Sequence, residues 1–474
     1  MIDATIWGHV IDGQSRPGEG GLLQEYDPAT GAKGFQIARG NAADVADAVA
    51  SAKAAQRDWA DLRPIRRGRV LTAIAQGLRV DPARFARIDQ AETGRRLATC
   101  LGEVELAAQY FEFYAGLVNT MGGEVIDLGA DYHSFTRHEP YGVVAIITPW
   151  NSPLTQLARG VGPALAMGNA VVAKPSEFTS AGSVALAMAC VDWGLPSGLF
   201  NVVTGLGVEA GAALVAHPDV RMVAFTGSVR AGQTIGAKAA ERIIPVSLEL
   251  GGKSANIVFD DCDLAAAVAG AVSGFTANAG QLCSAGTRLL VQSSIHDAFV
   301  ARLKEALGGI RVGRAEACTM GPIITSPQFE KVTSLLARAR AAGVVLHQGG
   351  ILDQADGWFV PPTLILGLDN QHPLSREEIF GPVASVIRFD TEEEAITIAN
   401  DSDYGLVGGV WTQNLSRALR VAGRIEAGQV FINEYFAGGV ETPFGGFKQS
   451  GIGREKGRAA LNHYGQIKTV TARL

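Results

Sequence analysis

Two side chains in this sequence have types and settings that suit a reaction, and a third stretch is odd enough to need explaining. Cys283 lies in GQLCSAG (280–286), Glu249 in LELGGKS (248–254), and Trp150 and Asn151 in TPWNSP (148–153). A cysteine thiolate attacks electrophilic carbon. A carboxylate at the end of an apolar run is costly unless partnered or protonated, and a raised pKa suits a general base. Taken singly, each has a plainer reading. A free cysteine packs as a small hydrophobe, and Glu249 could point outward from a strand end. Trp and Asn are unusual where a buried strand ends, unless something binds there.

The elements that must position these residues are legible between about 143 and 250. The apolar runs VVAIIT (143–148), AVVAK (170–174), FNVVTG (200–205), MVAFTG (222–227) and IPVSLEL (244–250) alternate with helical stretches. These are about 153–167, then AGSVALAMAC, EAGAALVAH and RAGQTIGAKAA. Continuous apolar strands separated by helices predict a parallel sheet covered on both faces, a doubly wound nucleotide-binding architecture. Ligands bind such sheets at the carboxyl ends of the strands, where TPWN, the Lys174 to Glu177 stretch KPSE, FTGS and Glu249 all fall. Lys174 could meet a ribose hydroxyl. Glu177 could accept from a 2′-hydroxyl and would repel a 2′-phosphate. A solvated ion pair is the alternative. FTGSVRAG (225–232) puts Gly227 and Gly232 around a helix start, whose free N–H groups suit a pyrophosphate. GLGVEAG (205–211) follows a strand, but a tight strand-to-helix turn explains it as well. GGKS (251–254) is no Walker loop, because Ser247 stands where that loop needs glycine.

The rest of the chain reads as support. Residues 41–60 form a helix capped by Asn41, and IRRGRVLTAIAQGLR a second. Residues 122–140 alternate weakly and predict a hairpin, and IKTVTARL at the C-terminus alternates at strand period. These strands could pair with each other or with another subunit. A second mixed α/β segment spans about 252–450, with the helix KVTSLLARARAAG and the strand VASVIRFD. The expected division is therefore 1–121 and 141–250 for nucleotide binding, 251–450 for catalysis, and 122–140 with 456–474 for assembly.

At 474 residues the chain is too long for one hydrophobic core. A net charge of −6 without a basic stripe argues against nucleic acid. Five cysteines without a CxxC pair suggest neither disulfides nor zinc, and the eight scattered histidines form no HExxH or HxxxH pair, so no metal is expected. The N-terminus lacks a signal-peptide pattern, no apolar run is long enough for a bilayer, and a cytoplasmic location without membrane contact is expected.

Read together, TPWNSP, KPSE, FTGS with its following glycine, LELGGKS, GQLCSAG, EEIFGPV (377–383) and PFGGFKQSG (443–451) resemble the motifs of the aldehyde dehydrogenase superfamily, in the family's order and over essentially the whole chain. The resemblance implies an α/β fold: a Rossmann-like cofactor domain, an α/β catalytic domain and a small β extension for oligomerisation. It implies that Cys283 attacks the aldehyde carbon and that Asn151 and the Cys283 N–H hold the resulting oxyanion. Such donors contribute roughly 3–4 kcal/mol each elsewhere. Hydride then passes to nicotinamide, and Glu249 activates the water that hydrolyses the thioester. Lys174 and Glu177 would contact the adenosine ribose, Gly227 and Ser228 the pyrophosphate, and Glu378 the nicotinamide ribose with Phe380 beside it. Trp150 would line the cleft. Thr148, Pro149, Ser176, Gly207, Phe225, Thr226 and Leu250 complete the implied cofactor set. The small residues around Cys283 would let substrate and nicotinamide approach. NAD is the implied cofactor, with NADP possible, and a small-molecule aldehyde is the implied partner in a homodimer or homotetramer.

Two departures from the family pattern stand out. The lysine many members carry nine positions after the asparagine is Gly160 here, although Glu455 of the GRE motif is kept. The substrate-tunnel helix carries Gln156 and Arg159 in place of Met and an aromatic residue. With Leu282 and Ser284 beside the nucleophile, these make Asn151, Gln156 and Arg159 the expected substrate contacts. Arg159 matches the position that holds a carboxylate in succinate-semialdehyde dehydrogenases, yet their second arginine is Ala277 and their serine is Gly438 or Gly439. The expectation is a polar, aromatic or carboxylate-bearing aldehyde other than succinate semialdehyde. A CoA-acylating relative would lack Glu249, and a nucleotide-binding structural relative would not need the Cys283, Asn151 and Glu249 set.

Overall fold

The computed structural model describes residues 6–354 and 356–474. Residues 1–5 of the expected nucleotide-binding segment lie outside them.

The apolar runs form the centre of an eight-stranded sheet. Its five inner strands run in the spatial order Val246–Glu249, Val220–Thr226, Val143–Ile147, Ala170–Lys174, Phe200–Val202, and all are parallel. Chain order therefore reverses direction between Val143–Ile147 and Val220–Thr226. A crevice opens at such a switch point, outside the carboxyl ends of the strands, and TPWN and FTGS flank it. Short antiparallel strands close both edges: His9–Ile11 with Gln14–Arg16 on one side, and Gly451–Ile452 on the other. Strands of two or three residues carry no readable period, so the sequence did not announce these edges.

A second sheet of seven strands holds the residues after 250, in the order Val345–Gln348, Thr363–Leu366, Val383–Phe389, Arg288–Gln292, Ala255–Val258, Val407–Trp411, Gln429–Ile432. All pairings are parallel except that of Val345–Gln348. Each sheet has its own apolar core: Val144, Val172, Leu157 and Phe111 lie in the first, Leu289, Phe299 and Phe275 in the second.

The predicted hairpin is Val125–Ile126 against Tyr132–Pro140, and the C-terminal strand Gly465–Arg473 pairs antiparallel with the latter from Gly465↔Pro140 to Arg473↔Tyr132. The two strands read as candidates for pairing thus pair with each other. The first helix runs Ala42–Asp61, and the Asn41 side chain accepts from the Ala43 and Asp44 N–H groups at 2.8 and 3.2 Å. EAGAALVAH is less regular than a helical reading: a π turn, Gly207–Gly211, precedes a five-residue helix, Ala212–Ala216.

Candidate active site

Three loops and one strand end meet at the crevice. The turn after Val143–Ile147 carries Thr148 to Asn151, and the helix Pro153–Ala166 starts immediately beyond it. Glu249 ends its strand directly opposite Thr226. Cys283 comes from the second sheet's side, on the loop before Arg288–Gln292. Together Trp150, Asn151, Gln156, Thr226, Glu249, Cys283, Glu378 and Phe380 line one cavity of about 190 Å³.

The Cys283 loop is held in a strained form. Asn278 and Ala279 have φ of 50° and 52°, a region that costs non-glycine residues energy and recurs at functional sites. Their cross-braces are specific. Asn151 Nδ2 donates to the Gln281 carbonyl at 2.8 Å, and Asn278 Nδ2 donates to the Asn151 carbonyl at 2.9 Å. Gln281 is pinned through its own amide, which donates to the Asn278 and Pro322 carbonyls at 2.8 and 3.1 Å and accepts from Ile324 N–H at 2.8 Å. The Asn151 amide is therefore fixed against the loop that presents the thiol, with one N–H still free. Gln281 and Asn278 carry this order, and spacing alone gave no sign of them.

The glycines around Cys283 answer first to the protein. A Cβ on Gly280 would stand 2.1 Å from the Gly381 carbonyl, one on Gly286 2.8 Å from the Tyr435 ring, and one on Gly252 2.3 Å from the Cys283 carbonyl. The small residues expected to give substrate and cofactor access are Gly280, Ser284, Ala285 and Gly286; at Gly280 and Gly286 the close neighbours are other loops of the protein.

Burial controls the charges. It pushes the Cys283 thiol up to about 12, with Glu249 adding and Arg159 opposing. It lifts the Glu249 carboxyl well above the usual range; Glu455 raises it further, and Arg159 and Arg454 pull the other way. Neither Glu249 oxygen has a hydrogen-bond partner among the described residues. Burial thus favours the protonated form of both groups.

The adjoining residues fit a dinucleotide. Lys174 is buried, its Nζ lies 3.4 Å from Glu177 Oε2, and burial lowers its pKa. Ser176 is buried beside them and Gly207 is exposed at the neighbouring turn. The helix Val229–Glu241 begins at the cavity, capped by Ser228 Oγ, which accepts from Ala231 N–H at 3.3 Å. Its first N–H groups have no intrahelical acceptors. Gly227 differs from expectation: its N–H is spent on the Glu249 carbonyl at 3.0 Å. Phe225 packs its ring over Gly227, Thr148 Oγ1 is buried without a partner among the described residues, and Pro149 and Leu250 complete the wall. Glu378 accepts from Gly252 N–H at 3.0 Å. Phe380, at φ 56°, sets its ring edge-on to Trp150 with centroids 5.4 Å apart. Gln328 and Lys331 also reach the cleft, from a helix the sequence presents only as packing.

Gln156 lines the cavity, and its Oε1 is buried with no donor among the described residues. Leu282 and Ser284 are half-buried beside Cys283, and the Ser284 carbonyl accepts from Tyr435 at 3.1 Å. Arg159 is not in the cavity wall. It is buried against Glu455, with Nη2 3.3 Å from Thr226 Oγ1.

A model of the aldehyde dehydrogenase family matches residues 16–470. The chain belongs to that family. A betaine aldehyde dehydrogenase from Brucella melitensis is 44% identical over 94% of this chain and 92% of its own length. A solved structure of betaine aldehyde dehydrogenase from Staphylococcus aureus in complex with NAD+ superposes at TM-score 0.95 and 36% identity, covering 98% of this chain and 95% of that one. The NAD+ complex of an aldehyde dehydrogenase from Bacillus cereus gives 0.96 and 36%, covering 99% and 96%. This aldehyde dehydrogenase is an oxidoreductase with NAD as its cofactor, and it oxidises an aldehyde. Among the described residues no helix is long and apolar enough to cross a membrane.

Proposed function

We propose that the enzyme converts an uncharged polar or aromatic aldehyde to its carboxylic acid through a thioester on Cys283. One observation carries this reading: Cys283, Asn151 and Glu249 line a single cavity together with Trp150, Glu378 and Phe380. In its ionised form Glu249 takes the thiol proton. The thiolate adds to the carbonyl carbon, and the free Asn151 N–H with the Cys283 N–H holds the oxyanion. NAD, when bound, supplies the hydride acceptor, on the face that Lys174, Glu177, Ser228 and Glu378 would hold. Collapse of the oxyanion leaves an acyl group on Sγ. Glu249 gives the thiol proton up to solvent and, ionised again, withdraws a proton from water as it attacks; the C–S bond breaks, Sγ leaves as the thiolate and the acid departs. Glu249 is also why hydrolysis is preferred over transfer to CoA.

The substrate class follows from the tunnel helix. Arg159 is occupied by Glu455, so a carboxylate-bearing aldehyde loses its expected partner. Gln156 offers an acceptor that is unpaired among the described residues, which suits a hydroxyl or N–H on the substrate. The curated relative is named for betaine aldehyde, a cation, and aromatic faces are what bind such cations. The helix Pro153–Ala166 supplies none, and the two aromatic rings of the cavity, Trp150 and Phe380, are packed edge-on to each other. NADH formation across neutral, carboxylate-bearing and quaternary-ammonium aldehydes tests this reading, with kcat/KM highest for a neutral polar aldehyde. A clear preference for betaine aldehyde or for a semialdehyde acid would reject it.

The ribbon of Tyr132–Pro140 and Gly465–Arg473, with Val125 and Ile467 exposed, supports subunit contact in a dimer or tetramer. Sedimentation should give a species at least twice 49.6 kDa. A concentration-independent monomer would exclude it.

A further inference from the structure

We infer that Arg159 and Glu455 form a fixed ion pair whose anionic half sets the protonation of Glu249, making Arg159 a positioning residue and not a substrate contact. This deepens the reading above and rests on it.

The geometry is closed on every side. Arg159 is 7% exposed and Glu455 5%. Glu455 is locked by its backbone, which exchanges two 2.7 Å hydrogen bonds with Phe444. The Arg159 guanidinium lies over the Phe444 ring, 5.6 Å from its centroid, and reaches Thr226 with its other arm. Thr226 and Gly451 are the two cross-strand neighbours of Glu249. The pair is therefore tied to the strand beside the base at Thr226, and Glu455 follows the Gly451–Ile452 strand in the chain. The Glu249 side chain points the same way: Oε1 lies 2.8 Å from where a Cβ would stand on Gly445, the residue after Phe444.

Other charged and titratable groups complete the surroundings. Arg454 precedes Glu455 and acts on Glu249 from the same strand edge; Cys283 faces it across the cavity. Behind the pair stand Tyr110 from the helix Leu97–Leu117 and Tyr464 near the C-terminus. Burial raises both phenols, so they stay neutral at working pH. Lys456 lies beyond Phe444, lowered to about 8 by burial, with Arg159 lowering it further and Glu441 opposing.

A guanidinium is never deprotonated in a protein, so it cannot relay a proton. Burial raises the Glu455 carboxyl, and the guanidinium works against that by favouring its ionised form. An ionised Glu455 favours the protonated form of Glu249. The lysine that Gly160 replaces would not fit unchanged: a Cβ there would already stand 3.1 Å from the Ile146 side chain and 3.4 Å from the Tyr464 hydroxyl.

The test is the pH profile of kcat with a neutral aldehyde, for the wild type, Glu455→Gln and Arg159→Lys, with thermal melts to verify folding. Removing the Glu455 charge should move the acid-limb midpoint down by about one unit or more, the range that a close like charge commands. Arg159→Lys keeps the charge and should leave the midpoint in place. Neither variant should change the ratio of kcat/KM between carboxylate-bearing and neutral aldehydes. Should Glu455→Gln not fold because Arg159 is left unpaired, Arg159→Met/Glu455→Gln removes both buried charges and should shift the midpoint the same way. A uniform loss of kcat with an unmoved midpoint would overturn the inference, and so would a KM rise confined to carboxylate-bearing aldehydes in Arg159→Lys. A wild type inactive on every aldehyde would instead reject the reading beneath it.

Discussion

Cys283→Ala removes NADH formation from every aldehyde, with kcat falling about 10⁵-fold or more, as when an enzyme loses its covalent nucleophile. The physical ground is that no other thiol can substitute. Cys100 and Cys190 are buried in the first core, Cys262 sits by the Asp260 to Asp263 turn, and the Cys318 thiol is hydrogen-bonded to Asp353 at 3.0 Å. Binding of NAD should survive, because Lys174, Glu177 and the helix at Ser228 are untouched. Residual turnover within tenfold of the wild type would mean that acyl transfer to sulfur is not the reaction.

Glu249→Gln has the second largest effect, and a different shape. Glutamine keeps the volume of the strand end but cannot take a proton. Steady-state turnover should fall by about 10²–10⁴-fold, the usual worth of a placed base. If Glu249 both activates the thiol and deprotonates water, raising the pH should restore acylation before hydrolysis. Rapid mixing at high pH should then show one NADH per active site followed by a stall, with acyl-enzyme visible as added mass. A linear time course without a burst and without acyl mass would confine the role of Glu249 to the first step. The wild-type profile carries the same signature. The raised Glu249 pKa puts the acid limb of kcat above the ordinary carboxylate range, and activity is lost as pH falls through it because the base takes up a proton.

Much of this architecture was readable in the chain because parallel strands buried on both faces leave unbroken apolar runs. Val143–Ile147, Ala170–Lys174 and Val220–Thr226 could be placed to within a residue or two for that reason. The reacting groups were readable because they sit where such runs end. What could not be read was who meets whom across the fold. Helical spacing puts Arg159 on the tunnel helix, but nothing in that helix says that Glu455 is its partner. Gln281 and Asn278 are ordinary polar residues until the loop folds back on Asn151. Gly280 looks like room for substrate until the Gly381 carbonyl is seen against it.

The strand that carries Glu249 is hydrogen-bonded on its outer side to Gly451–Ile452. Synthesis runs from the N-terminus, so a growing chain carries Asn151, Glu249 and Cys283 long before it carries that edge. Bringing such distant segments together has an entropic cost that local contacts do not. The charge arrangement around the base is complete only once the C-terminal segment has docked. A truncated or still-emerging polypeptide can thus carry the nucleophile in its sequence and yet lack the electrostatic setting that Glu455 completes.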